Sequence, residues 1–457
     1  MLVANLTGQN WQVKDEQYVW HAMKPYNPNA TMIVEKSKGA WITDIGGKRY
    51  LDAMSGLWCV NVGYGREEIA KVAYEQLLEN TYTPLSVGHI PAIQLSEKIS
   101  ELLGDDYVVF FSNSGSEANE VAFKIARQYH QQKGNASRTK IISRYRAYHG
   151  SSMGALAATG QAQRKYKYEP FAPGFIHVSP PDSYRANEDH IKSNDPTSLP
   201  SVQAIDNVMT WEMADTIAAV IMEPIITGGG VIMPHENYLR GVKAVCEKHG
   251  ALLIVDEVIC GFGRTGKVFG FQNYGIQPDI VTMAKGLTSA YMPLSATAVR
   301  REVYEAFAGS EEYDFFRHVN TFGGSPAACA VALKNIEIME QENLFTRSAE
   351  VGSLLLSELQ EQLKDHPYVG NIRGKGLLIG VELVSDKNSK TPLDIADINK
   401  VISLCKDQGL IIGKNGVTVA GFNNILTLSP PLIITSDEKD FIVEKFTTAL
   451  NTLLQQP

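Results

Sequence analysis

An excess of positive charge is missing from this chain. Its 42 lysines and arginines are outnumbered by 50 acidic residues, giving a formal net charge of -8, and no Lys/Arg stripe offsets that balance. A nucleic-acid surface is therefore not expected. Cysteines are few, five in all. Cys59, Cys246, Cys260, Cys329 and Cys405 form neither a C-x-x-C pair nor a metal-ligand spacing. Several lie in apolar or helical runs, where a small buried thiol is the ordinary outcome, and no metal is expected. No run reaches the roughly 20 apolar residues that a bilayer-spanning helix needs. The amino terminus lacks a basic region followed by an apolar one, so no signal peptide is expected and a cytoplasmic location is. Internal repeats and low-complexity tracts are absent. So is a G-x-G-x-x-G turn in the first strand–helix unit, which a nicotinamide cofactor would favour.

What is present is core-forming material. Of 457 residues, 44% are hydrophobic and 20% charged, the balance of a globular chain of about two to three domains. Residues 31–52 hold two short strand patterns around a Lys-Gly turn and a third after Gly-Gly, a small meander. Apolar positions recurring at three and four predict helices over 66–80 and 91–103. The period then switches. Tyr107–Phe111 is a short apolar strand, Ser112–Gly115 a turn, and Glu117–Gln131 a helix striped by Ala118, Val121, Ala122, Ile125, Ala126 and Tyr129. Alternation continues through "TKIISRY", a helix near 151–159, "TIAAVIMEP", a helix over 236–249, "ALLIVDEV", "DIVTMA" and "LSATAV". Strands written as continuous apolar runs between helices predict an α/β fold with a mainly parallel sheet covered on both faces.

Toward the carboxyl end come helices over 326–340 and 344–364, and a strand in "GKGLLIGVELV". A helix over 393–408, a strand in "NILTLSPPLII" and a final amphipathic helix follow. The division this implies gives residues 1–59 to a smaller α+β domain, 60–325 to the large domain, and 326–457 to the rest of the smaller one. The polar stretch 183–200 reads as a loop or lid.

Ligands of open parallel sheets gather beyond the carboxyl ends of strands, and four features lie at such ends. Ser114-Gly115-Ser116 opens a helix, where unpaired N–H groups can hold a phosphate; the same residues also suit an ordinary N-cap. Asp256 follows five apolar residues, a costly place for a carboxylate without a buried partner. That partner can be a protonated heterocyclic nitrogen, a metal or a structural cation. Glu257 beside it points elsewhere on an extended segment and reads as structural. Lys285 ends the hydrophobic run of "DIVTMAKG", with no charged neighbour from Ile280 to Val299. A lysine in a partly dry site deprotonates more easily and becomes a nucleophile toward an aldehyde; the alternative is an ammonium reaching solvent. Tyr148, in Tyr148-His149-Gly150, can stack on a flat cofactor or simply pack at a strand–helix junction. One ligand satisfies all four: pyridoxal phosphate, its phosphate at the helix start, its ring nitrogen at Asp256, its ring on Tyr148 and its aldehyde carbon at Lys285.

The ordered set "SNSGSEANEVAFKIAR", "YHG", "EPI", "LLIVDEVICGFGRTG", "TMAKGLTSAYMPLSA", "HVNTFGGSPAACA" and "LSPPLII" covers nearly the whole chain. In it the sequence resembles the class III, or omega, aminotransferases of the fold type I pyridoxal-phosphate enzymes. The resemblance implies Lys285 as the cofactor-bonding lysine and proton-transfer base, and Asp256 as the partner of the pyridine nitrogen. It also implies Ser114, Gly115 and Ser116 as the phosphate cup, Tyr148 as the stacking ring, and Glu223 as the acid near the cofactor hydroxyl and substrate. Thr321 matches a phosphate ligand donated by a neighbouring subunit. A homodimer with shared sites, alone or paired into a tetramer, is implied with it.

On the substrate side, Trp58 matches an aromatic lining the pocket of the amine:pyruvate branch; otherwise it reads as a core tryptophan. Tyr18 and Trp20 resemble an aromatic cover, and residues 83–89 are expected to face the partner's site. One departure stands out. Many amine:pyruvate members carry a carboxylate-binding arginine shortly before the final "PP". Here Ala420 holds that place, and no arginine occurs between Val401 and Pro431. Lys414 is a nearby cation, though a point charge rather than a bidentate fork; Arg146 and Arg164 lie in site-side loops. The resemblance thus implies ping-pong transfer of an amino group from an omega-amino acid or primary amine to a 2-oxo acid, pyruvate foremost. The alternatives are a taurine:pyruvate aminotransferase, or an aminomutase or decarboxylating transaminase on the same scaffold.

Overall fold

The computed structural model describes residues 11–23, 31–186 and 195–454. At its centre is a seven-stranded sheet in the order Tyr107–Ser112, Ser295–Arg300, Ile280–Met283, Leu252–Asp256, Ile217–Met222, Lys140–Arg144, Phe175–Val178. Ser295–Arg300 runs antiparallel to both its neighbours, and the other pairings are parallel. The apolar runs explain this. All six side chains of Ile217–Met222 and all five of Leu252–Asp256 are buried, as a strand covered on both faces requires. Each fully buried Val, Leu or Ile side chain contributes about 1.5–3 kcal/mol of transfer free energy.

The helix Gly115–Gln132 lies on this sheet through Ala118, Val121, Ala122, Ile125 and Ala126, all buried. The helix Pro326–Gln341 packs against Glu67–Glu79 and Ile90–Leu103. The last of these ends at Gly104, whose φ of +77° closes the helix in a left-handed cap that glycine adopts without strain.

Two smaller sheets draw on both chain ends. The meander Val34–Lys38, Trp41–Asp44, Arg49–Asp52 is joined by Leu410–Ile411, which runs parallel to Leu51–Asp52. The other holds Val369–Gly374, Ile379–Asp386, Ile425–Leu428 and Gly413–Lys414. The sequence pattern places one strand in "GKGLLIGVELV"; the structure makes it the second arm of a hairpin whose first arm, Val369–Gly374, is broken up by two glycines, Asn371 and Arg373 and does not announce itself. The helix Pro200–Trp211 and the edge strand Phe175–Val178 also went unread. Within 183–200, Ser183–Ala186 is a helical turn and Pro196–Ser198 a 3-10 turn, while 187–194 lie outside the described residues.

Candidate active site

Asp256 and Lys285 meet because their strands are neighbours. Asp256 pairs with Thr282 in parallel register, so Lys285 follows three residues past the carboxylate's own level. Asp256 is 3% exposed. Its Oδ2 accepts from Asn119 Nδ2 at 2.8 Å and from His149 Nδ1 at 2.9 Å, and its Oδ1 from the Val258 N–H at 3.1 Å. Asn119 is held in turn by Thr282, whose hydroxyl donates to Asn119 Oδ1 at 2.8 Å. A buried carboxylate survives only with such donors. These donors are neutral amide groups and one imidazole, so the carboxylate still has capacity for a cation. Glu257 turns the other way, as its position on the strand predicts, and accepts from the Gly270 and Phe271 N–H groups at 2.8 Å each.

Lys285 has a φ of +45°, unusual for a side chain of its size. Its Nζ donates to the Leu57 carbonyl at 3.0 Å and lies 5.7 Å from the centre of the Trp58 ring. Burial lowers its amine below the ordinary lysine value, with Cys59 and Asp256 pulling the other way and the positive charge of Arg164 adding to the fall. A lysine with no acidic side chain bonded to it and a lowered proton affinity is suited to attack a carbonyl carbon.

The helix start at residue 115 is a capping box. Ser114 Oγ accepts from the Glu117 N–H at 3.3 Å, and Glu117 Oε2 accepts from the Ser114 N–H at 3.2 Å. The Ser114 hydroxyl is thus engaged with its own helix, while the N–H groups of Gly115 and Ser116 have no acceptor inside it. Two glycines at the rim have no room for a side chain, which preserves the opening. A Cβ on Gly115 would stand 3.0 Å from both Val258 methyls, and one on Gly150 would stand 2.5 Å from Ser116 Oγ. Ser116 Oγ accepts from the Ser151 N–H at 3.0 Å.

Glu223, at the end of its strand, accepts from the Tyr148 N–H at 3.2 Å and the Thr227 N–H at 2.9 Å. Burial pushes its carboxyl up to about 7, against the opposing charge of His149 and with help from Asp256. The fully buried Arg144 donates to the Glu223 carbonyl at 2.6 Å, tying the strand end to its neighbour. Tyr148 bonds Ser151 Oγ at 2.9 Å, and the guanidinium of Arg164 stands 4.8 Å from the Tyr148 ring centre.

These groups line a cavity of about 400 Å³ in which Ser114, Gly115, Ser116, Tyr148, Glu223, Asp256 and Lys285 come together. Asn119 and His149 line it as well, and neither was singled out from sequence. Asn119 was legible in principle, being a polar residue on the same helical face as Ala122 and Ala126. Trp58 sits beside the cavity rather than in its lining; its ring is near Lys285 and packs against the cluster of Ile225, Val231, Cys260 and Leu378. Tyr18 and Trp20 are 75% and 98% exposed and are not among the residues lining the cavity. The helix Trp11–Tyr18 buries none of its residues. Thr321 is also apart, on an exposed turn whose carbonyl accepts from the Tyr82 hydroxyl at 2.9 Å. Among the described residues no group of three metal-ligating side chains occurs and no helix is long and apolar enough to cross a membrane.

The two loop arginines differ. Arg146 is spent: Nη1 pairs with Asp182 Oδ2 at 2.8 Å and Nη2 donates to the Gly229 carbonyl at 2.8 Å. Arg164 has no acidic partner among the described residues; its Nε donates to Gln161 Oε1 at 2.6 Å.

The model of the aminotransferase class-III family matches residues 22–450. A Bacillus subtilis (strain 168) protein named "Uncharacterized aminotransferase YhxA" is 62% identical over 445 residues, 97% of each chain. A taurine–pyruvate aminotransferase of Bilophila wadsworthia (strain 3_1_6) is 42% identical over 447 residues, again 97% of each. Among solved structures, a Bacillus anthracis aminotransferase matches with a TM-score of 0.95 at 62% identity, over 97% of this chain and 98% of that one. An omega transaminase from Pseudomonas jessenii in complex with PMP matches with a TM-score of 0.91 at 35% identity, over 98% and 99%. The chain belongs to the class III aminotransferases, fold type I enzymes built on a large mixed-sheet domain and a smaller α+β domain. Its activity is transamination with pyridoxal 5'-phosphate. The residues present fit that cofactor: free helix-start N–H groups, a buried carboxylate with room for a cation, and an amine of lowered proton affinity.

Proposed function

We propose that this aminotransferase takes small amine donors carrying an acidic group, omega-amino acids first and taurine as the narrower case, and passes the amino group to pyruvate in a ping-pong cycle. The observation that carries this reading is Arg164. It is a guanidinium without an acidic partner among the described residues, bonded to Gln161 Oε1 and Met23 Sδ and laid over the Tyr148 ring at 4.8 Å. Its charge reaches Lys285 strongly enough to figure in that amine's lowered proton affinity, behind burial. A planar fork in this place suits a carboxylate or sulfonate, and Ala420 supplies no charge of its own. The taurine–pyruvate relative at 42% identity supports the sulfonate case.

Within the site, Lys285 would bond the cofactor and carry the proton beside the donor nitrogen. Asp256, oriented by His149 and Asn119, would hold the ring nitrogen protonated. Gly115 and Ser116 would offer N–H groups to the phosphate, Tyr148 would take the ring, and Glu223 the substrate side. The cofactor, when bound, supplies an aldehyde carbon and an electron-withdrawing ring. Trp58 borders the donor. The exposed Thr321 turn, with Phe322 67% and Val319 83% exposed, supports a homodimer in which that turn serves the partner's site; apolar side chains of this kind mark association surfaces.

The test is a donor panel with pyruvate, measuring alanine formed from taurine, β-alanine, 4-aminobutyrate and 1-phenylethylamine. Faster turnover per KM for the acidic donors is the expected result. Equal use of 1-phenylethylamine would remove the acid-binding role of Arg164, and carbon dioxide release or isomerisation without pyruvate would replace transfer by another reaction on the scaffold.

A further inference from the structure

The segment 416–424, which carries Ala420, does not contact the acid of a substrate through a cation of its own, yet it is built into the turn that carries Arg164. The Gln163 N–H donates to the Thr418 carbonyl at 3.0 Å. Asn423 Nδ2 donates to Gln163 Oε1 at 2.8 Å, while Asn423 Oδ1 accepts from the Thr418 hydroxyl at 2.8 Å and from its N–H at 3.2 Å. Asn423 therefore ties the two sides of the loop to each other and to the residue before Arg164.

The segment is itself fixed. The ring of Phe422 has the Arg146 guanidinium 5.3 Å from its centre and that of Arg185 at 5.0 Å. Arg146 is held by Asp182, and Arg185 by the buried Glu382. The Phe422 carbonyl accepts from Asn415 Nδ2 at 2.7 Å. On the other side of Arg164, Gln161 accepts from its Nε at 2.6 Å and donates through Nε2 to the Arg146 carbonyl at 2.9 Å.

We propose that Asn423 is a positioning residue that fixes the Arg164 guanidinium over Tyr148, so that the acid-binding group of this enzyme is held still rather than free to swing. This rests on the assignment of Arg164 as the acid-binding residue. A fixed fork is pre-organised for a carboxylate or sulfonate at one distance from the reacting amine, because its ordering cost is met before binding. It also selects against donors that put a bulky neutral group at that place, since the guanidinium cannot withdraw.

The experiment uses the cofactor-loaded enzyme and five forms: unaltered, Asn423→Ala, Asn423→Asp, Arg164→Met and the Arg164→Met/Asn423→Ala double variant. KM and kcat are measured for β-alanine, taurine and 1-phenylethylamine with pyruvate saturating. Asn423→Asp keeps the acceptor toward Thr418 and loses the donor to Gln163. Both Asn423 variants are expected to raise KM for β-alanine and taurine about tenfold, the scale of one lost hydrogen bond, with the smaller change in kcat. Neither should raise KM for 1-phenylethylamine in the same proportion. In the Arg164→Met background, Asn423→Ala should add nothing to the KM for β-alanine, because the effect runs through the guanidinium. If Arg164→Met raises KM for the acidic donors while the Asn423 variants do not, the positioning role is overturned and the acid-binding role stands. If Arg164→Met leaves those KM values in place, both fall. A further rise in the double variant would also overturn the proposal, since Asn423 would then act on another part of the site.

Discussion

His149 Nδ1 and Asn119 Nδ2 converge on a single oxygen of Asp256, at 2.9 and 2.8 Å, and among the described residues its second oxygen accepts from a backbone N–H at 3.1 Å. The carboxylate is aimed from behind and free in front. His149→Ala and Asn119→Ala are each expected to weaken cofactor retention by about 1.5–3 kcal/mol, the scale of a hydrogen bond to a charged group. Equilibrium titration of the cofactor-free protein with pyridoxal phosphate checks this.

Lys285→Ala is expected to reduce turnover by at least about 10²–10⁴-fold, the share that a positioned proton carrier commonly supplies. Borohydride treatment of the unaltered holoenzyme should fix the cofactor to the peptide containing residue 285. Because burial lowers the amine below its ordinary 10.5, the pH dependence of cofactor loading should level off below that value. Loading that still climbs as for a free lysine would contradict the dry setting.

Glu223 gives a pH dependence of stability with a definite sign. Its folded carboxyl is raised from 4.5 to about 7, so the folded state binds more protons than the unfolded one across that window. Stability attributable to this group falls as pH rises from about 4.5 to about 7 and is flat outside it. Glu223→Gln replaces the titrating group by one that does not titrate. The stability of the unaltered cofactor-free protein relative to the variant should therefore decline between pH 5 and 7, as read from denaturant midpoints.

Arg146 and Arg164 are chemically alike and predicted to fail differently. Arg146→Met leaves Asp182, itself buried, without its partner, and is expected to cost about 3–5 kcal/mol of stability. Thermal unfolding measures it. Arg164→Met breaks no ion pair among the described residues, and its cost should appear in donor KM rather than in the melting temperature.

Gly160→Ala is expected to destabilise by at least about 1–3 kcal/mol by overpacking. Its Cβ would lie 2.0 Å from the Arg144 carbonyl oxygen, a backbone atom that cannot move aside. A melting temperature equal to that of the unaltered enzyme would show that the strand ends at 144 and 160 can separate.

The parts of this molecule that were legible in the sequence are those whose signal is local. Ile217–Met222 and residues 252–255 are apolar without interruption, and Gly115–Gln132 carries its stripe openly, so the sheet, its helix and the carboxylate at the strand end are all legible. Val369–Gly374 and Phe175–Val178 could not, since their strand state is set by the partners they pair with rather than by their own residues. The same divide runs through the site. Lys285 stands out as a charge in an apolar run. His149 and Asn119 matter only through Asp256, which is 107 and 137 residues away in the chain. Ser114 suits a phosphate ligand or a cap; its oxygen caps its own helix, and its O–H keeps a donor for a ligand. Tyr18 and Trp20, matched to a pocket cover by resemblance, lie exposed, and the helix Trp11–Tyr18 buries none of its residues.

The parallel pairing of Leu410–Ile411 with Leu51–Asp52 has a bearing on biosynthesis. The first sheet to leave the ribosome lacks its fourth strand until nearly the whole polypeptide has been translated, so the nascent meander must wait with Arg49–Asp52 as an open edge while the large sheet assembles. Premature stop codons before position 410 should accordingly yield a product with a sticky margin at residues 49–52, prone to aggregate even though every cofactor-contacting side chain has already been made.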